Sequence, residues 1–218
     1  MGIAKFFLIG CLLGASLDGI QGHGMLMDPI SRSSAWRKSF DVEPDYNDNE
    51  LFCGGYGIQY EQNEGKCGEC GDDYAMLRPR PHENGGIYGT GVIVRNYTIG
   101  GEIINVRVKL TANHKGTFAF HLCPLEHPHD LETEECFNRH PLELADGGYD
   151  VEVPSTQMDF TIGVRLPTNV VCDHCVFRWS YRAGNNWGLC DDGRSSLGCG
   201  PQETFRNCAD ISIRGSRV

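Results

Sequence analysis

The chain has no apolar run long enough to cross a membrane: the stretch from Phe6 to Leu17 is about a dozen residues, where a spanning helix needs about 20. It has no segment with a sustained helical period, no internal repeat, no low-complexity linker and no H-E-x-x-H pair. It is short of cations, with 19 Lys and Arg against 29 Asp and Glu and a net charge of −10. These absences argue against an integral membrane protein, a helical bundle and a zinc hydrolase of the two-histidine helix type. An acidic surface also disfavours nucleic acid, anionic glycans and anionic membranes as partners, and leaves a neutral partner open.

Residues 1–22 pair an early cation, Lys5, with that short apolar run and a small, polar end at Gly22, the layout of a cleavable signal peptide. A soluble, secreted chain of one domain, residues 23–218, is therefore expected, with His23 as its first residue. Of eleven cysteines, ten remain after Cys11. They are Cys53, Cys67, Cys70, Cys123, Cys136, Cys172, Cys175, Cys190, Cys199 and Cys208, and an even set in a secreted chain predicts five disulfides of unspecified pairing. The rival reading is a zinc site, since Cys67-x-x-Cys70 and Cys172-x-x-Cys175 have ligand spacing; about a hundred residues separate them, far more than in a zinc ribbon. Asn96-Tyr97-Thr98 is a glycosylation sequon.

Period-two alternation marks several half-buried strands. Ile104, Val106, Val108 and Leu110 share one face, as do Phe118, Phe120 and Leu122, then Phe160, Ile162, Val164 and Leu166. Phe177, Trp179 and Tyr181 alternate with Arg178, Ser180 and Arg182, and "TFRNCADISI" supplies a last strand. Gly, Pro, Asn and Asp punctuate the gaps, which favours an all-β, immunoglobulin-like or fibronectin-like antiparallel sandwich with long disulfide-pinned loops. Residues 24–90, rich in glycine and holding Cys53, Cys67 and Cys70, are expected to form an irregular excursion at one end.

An N-terminal histidine offers an α-amine and a ring nitrogen from one residue, and the amine deprotonates at little cost near neutral pH. A second imidazole is then needed. His114, in the "TANHKG" turn between two strands, is the candidate. One amine and two imidazoles suit Cu(II), whereas zinc prefers a tetrahedral set with carboxylate or thiolate. His127 and His129 read as surface residues, His121 as lying on the polar face of its strand, and His82, His140 and His174 have no evident partner. Glu203 and Phe205 are spaced to share one strand face near the metal, although taken alone they read as an exposed acid and a core aromatic.

"HGMLMDPISR", "TANHKG" and "QETFRNCADI", in that order across the chain, together resemble lytic polysaccharide monooxygenases of auxiliary activity family 15. The resemblance implies a β-sandwich with a flat face and one copper ion per chain. In it His23 supplies the amine and one ring nitrogen and His114 another. Ala112 matches the small residue on one axial side, Phe205 the opposite axial position, and Glu203 the Glu or Gln that positions the oxygen co-substrate. Relatives carry Tyr or Phe at the Phe205 position, and this chain has no phenol there. The implied function is oxidative cleavage of glycosidic bonds in crystalline chitin, with cellulose next, by a secreted monomer using an external electron donor and dioxygen or hydrogen peroxide. The alternative is a secreted polysaccharide-binding or copper-carrying protein that keeps the fold without the catalysis. Trp36 and Tyr46 are candidates for stacking on sugar, and Trp179 with Tyr181 for carrying an oxidising equivalent away from copper, against the plainer reading of core aromatics.

Overall fold

A computed structural model describes residues 23–98 and 101–215. The expected signal peptide, residues 1–22, lies outside the described residues. One sheet holds β1 (His23–Asp28), β3 (Ile103–Ala112) and β6 (Asp159–Arg165) in the order β1-β3-β6. The other holds β2 (Arg95–Tyr97), β4 (Thr117–Pro124), β5 (Asp150–Glu152), β7 (Cys172–Arg182) and β10 (Thr204–Ile213) in the order β2-β10-β7-β4-β5. A hairpin of β8 (Trp187–Leu189) and β9 (Ser195–Leu197) stands apart, and a short α-helix, α1 (Glu134–Arg139), lies in the chain between β4 and β5.

The alternating residues make the core. Val106, Val108 and Leu110 of β3 and Phe160 and Val164 of β6 meet Phe118, Phe120 and Leu122 of β4 and Phe177, Trp179 and Tyr181 of β7. Their aromatic rings cross edge to face, Phe118 against Phe160, Trp179 and Tyr181 with centroids 5.0–5.3 Å apart. All ten cysteines pair as five disulfides: Cys53–Cys67, Cys70–Cys208, Cys123–Cys136, Cys172–Cys175 and Cys190–Cys199. The two C-x-x-C pairs are therefore not thiolate ligands.

Four expectations need correction. The pairing is not wholly antiparallel, because β2 runs parallel to β10 at the sheet edge. The excursion begins later than residue 24, since His23–Asp28 is a strand paired with β3. The face carrying Arg178 and His121 is not solvated. Helix α1 covers it, so Arg178 is 1 % exposed, with its guanidinium donating to Glu134 at 2.8 and 3.1 Å, and His121 is held down near 4 by burial and by Arg178. Finally, His82 and His174 do have partners, in an ionic layer beneath the excursion.

There Arg32 donates from Nε and Nη2 to Asp210 at 2.9 and 2.6 Å and from Nη1 to Glu132, while His174 Nε2 meets Asp210 at 2.7 Å. Burial alone would raise the Asp210 carboxyl, yet the Arg32 charge holds it at about 2. His82 lies between Asp72, 2.7 Å from Nδ1, and Asp45, 3.0 Å from Nε2. Burial opposes its charge, but the two carboxylates outweigh burial and raise its pKa. A raised folded-state pKa contributes stability that is complete below the unfolded value of about 6.5 and lost as pH rises through the folded one. Urea unfolding at about pH 6 and about pH 9 should show the native protein losing stability over that interval and His82→Gln, weaker at the outset, losing less. Equal losses would remove His82 as the source.

Candidate functional site

His23 opens β1 with its Cα opposite Ala112, the last residue of β3. The glycine after it is required by packing: a Cβ on Gly24 would stand 2.6 Å from Leu110 and 2.9 Å from Trp179. Gly24 N donates to Asn49 O at 3.0 Å and Leu26 N to Asn207 Oδ1 at 2.8 Å, which ties β1 to the excursion and to β10.

His114 follows Ala112 on the turn into β4. That turn closes at Gly116, φ +90°, where a Cβ would meet Arg182 O at 2.0 Å. The His114 backbone is clamped at both ends, its N–H donating to Tyr181 Oη at 2.9 Å and its carbonyl accepting from Gly184 N at 2.9 Å. The residue is 7 % exposed, not the solvated side chain that a turn histidine usually is. Burial, and after it the neighbouring His23, push its pKa down, which favours the neutral form that a metal ligand requires.

Both rings have one nitrogen tied off. His23 Nε2 meets Glu50 Oε1 at 3.0 Å, leaving Nδ1; His114 Nδ1 meets the Asn185 amide at 3.0 Å, leaving Nε2. When Nε2 of His114 is engaged, Nδ1 carries the proton, and the amide, by a half-turn, accepts it through its oxygen. Glu50 and Asn185 were not singled out in the sequence, and no local signal marks them, because they lie 27 and 71 residues from the rings they hold.

Glu203 directly precedes β10, and its Oε2 lies 3.8 Å from His114 Nδ1. At 6 % exposure it is not the solvated acid that its type suggests. Phe205 is fully buried and stacked between Tyr181, 5.6 Å away, and Phe52, 6.0 Å away, with Trp179 the next ring beyond Tyr181. Trp36 and Tyr46 contact each other at 5.3 Å on the excursion. His127 and His129 are exposed, and Asn96 is exposed on β2 with its Oδ1 accepting from the Ser212 hydroxyl at 2.6 Å. An open cleft of about 640 Å³ adjoins the site, lined by Phe52, Tyr56, Asn185, Asn186, Trp187 and Glu203 among others.

The donor set fits copper: two imidazoles with oriented rings, joined by an amine if His23 is terminal, and no thiolate. Among the described residues, one cluster of three other potential ligands is Cys70, Glu132 and Cys208, whose sulfurs are spent on each other in a disulfide.

Residues 23–211 match the family described as lytic polysaccharide mono-oxygenase, cellulose-degrading. Among solved structures, a lytic polysaccharide monooxygenase AA15 from Thermobia domestica in the Cu(I) state superposes with a TM-score of 0.86 at 49 % identity, covering 89 % of this chain and 100 % of that one. No curated protein matches.

Proposed function

Starting from the chain's membership of the lytic polysaccharide monooxygenases, in the AA15 group, we propose that it is secreted, loses residues 1–22, and attacks crystalline chitin through a copper ion held by His23 and His114. The family makes it a copper-dependent polysaccharide monooxygenase with one copper per chain. The observation that carries the ligand assignment is the paired rings at the ends of β1 and β3, each with one nitrogen fixed by an outer partner.

In this reading His23 binds through Nδ1 and its α-amine and His114 through Nε2. A copper ion held there would supply, with an external electron donor, the activation of dioxygen or hydrogen peroxide needed to oxidise a sugar carbon beside the linkage. The chain's own residues set the geometry. Glu50 and Asn185 would fix the ring planes, and Phe205, which has no phenol to offer the metal, and Ala112 would form apolar walls beside it. Glu203, at the edge of the cleft, orients the oxygen co-substrate by hydrogen bonding.

Chitin is first on the strength of the sequence resemblance, and an acidic surface has no electrostatic quarrel with a neutral polymer. Cellulose is the second reading, favoured by the description of the matching family. Mature copper-loaded protein incubated with chitin or cellulose and a reductant, followed by mass spectrometry, separates them. Oxidised chito-oligosaccharides are expected; oxidised products from cellulose alone would replace chitin, and none from either would remove both.

Asn185→Leu should lower copper affinity by about 10–100-fold, the usual cost of losing a partner that orients a ligating imidazole. Calorimetry that finds native affinity would mean Asn185 does not orient His114.

A further inference from the structure

We propose that the chain carries an N-linked glycan on Asn96, which covers an open sheet edge at the end of the sandwich remote from the histidine pair. This rests on the reading of residues 1–22 as a signal peptide, since such a glycan is added on the secretory route.

The sequence supplies the acceptor amide and the hydroxyl two residues on, Asn96 and Thr98, with Tyr97 rather than proline between them. A sequon of this kind belongs on a surface loop, and here it runs along strand β2. The order in which the chain is made removes the conflict. Among the described residues β2 pairs with β10 alone, with Asn96 opposite Ser212, and those two residues are 116 positions apart. At about 5–20 residues per second, the partner strand is made on the order of ten seconds after the sequon. Until then residues 95–97 have no ladder to join and are free to bend into an oligosaccharide transferase. There Asn96 Nδ2 attacks the anomeric carbon of a lipid-pyrophosphate-linked oligosaccharide. The N–C bond forms, the C–O bond to pyrophosphate breaks, the amide loses one proton, and the lipid pyrophosphate leaves with the electron pair.

The folded position accepts the product. Arg95 Nη2 donates to Asp28 of β1 at 2.8 Å and Tyr97 packs against the core, so Asn96 between them faces the other way, and both it and Thr98 are exposed. The amide is already turned for attachment. Its Oδ1 accepts from the buried Ser212 hydroxyl at 2.6 Å, while Nδ2 has no hydrogen-bond partner among the described residues. Attachment at Nδ2 leaves the carbonyl, and with it that hydrogen bond, in place.

The location gives the glycan a task. Strand β2 is the outermost of its sheet, and an open edge offers unpaired N–H and C=O groups to another chain. A bulky, solubilising group on the middle residue of a three-residue edge strand covers that edge. It also stands away from the histidines. Phe205 stacks on Tyr181, whose hydroxyl holds the His114 backbone, whereas Ser212, beside Asn96, lies seven positions further along β10, roughly 23 Å at the usual rise of a strand.

The test is expression of the full chain in insect cells, with mass spectrometry of native, Asn96→Gln and Thr98→Ala proteins before and after treatment with peptide-N-glycosidase. Secreted native protein should carry one glycan at residue 96, removed by the glycosidase, and both variants should have the mass of the bare chain with unchanged copper affinity. On warming, both variants should scatter light sooner than the native protein; Thr98→Ala keeps the Asn96 amide and its bond to Ser212, so its earlier aggregation reads the glycan alone. Secreted native protein at the bare-chain mass, or a glycan that survives in either variant, overturns the modification while leaving the signal peptide standing. Native protein retained in the cells without a glycan overturns both. A glycosylated native protein that aggregates no later than Thr98→Ala overturns the covering of the edge.

Discussion

Replacing His114 by Ala should abolish tight copper binding while leaving the fold intact. The loss should exceed the roughly 10–100-fold expected from removing an outer partner such as Asn185, because a ligand itself disappears. The backbone of the turn should survive. The bonds from His114 N to Tyr181 Oη and from Gly184 N to His114 O involve only main-chain atoms of residue 114, and the bend is set at Gly116. Copper titration beside circular dichroism checks both halves. A folded variant with native copper affinity would mean that the paired rings hold no metal.

Replacing Arg32 by Ala should cost about 3–5 kcal/mol in denaturant unfolding, the penalty for stripping a buried cation from its carboxylates. Arg32 is the hub on which Asp210 and Glu132 converge, all three being 0–3 % exposed, and its Nη1 also donates to His82 O at 2.7 Å. Because the penalty comes from stranded negative charge, the deficit should shrink in acid, where the orphaned carboxylates take up protons. A loss below about 1 kcal/mol at neutral pH would show that the layer tolerates unpaired carboxylates.

Strands with one face on the core and one toward water were legible in the sequence. Strand β3 buries each second residue, and the expected last strand coincides with β10. Alternation failed where a third layer covers the outer face. Arg178 and His121 read as solvated because nothing near them in sequence announces α1, which packs there through the Glu134 ion pair. Strand β1 was missed for another reason: HGMLMD has no alternation, and its place is decided by pairing with β3 and by Asn207, 181 residues from Leu26.

At the site, the histidines carried a signal in their positions, one at the expected start of the mature chain and one on a tight turn. Their orienting partners carried none. The partners of His82, 10 and 37 residues away, and of His174, 36 residues away, were equally hidden.

The central claim is that the α-amine of His23 is itself a copper ligand. Calorimetric copper titration of protein beginning at His23, beside protein with one residue added before it, tests this most directly. Tight one-to-one binding by the first and a large loss in the second are the predicted result; equal affinity in both would contradict it.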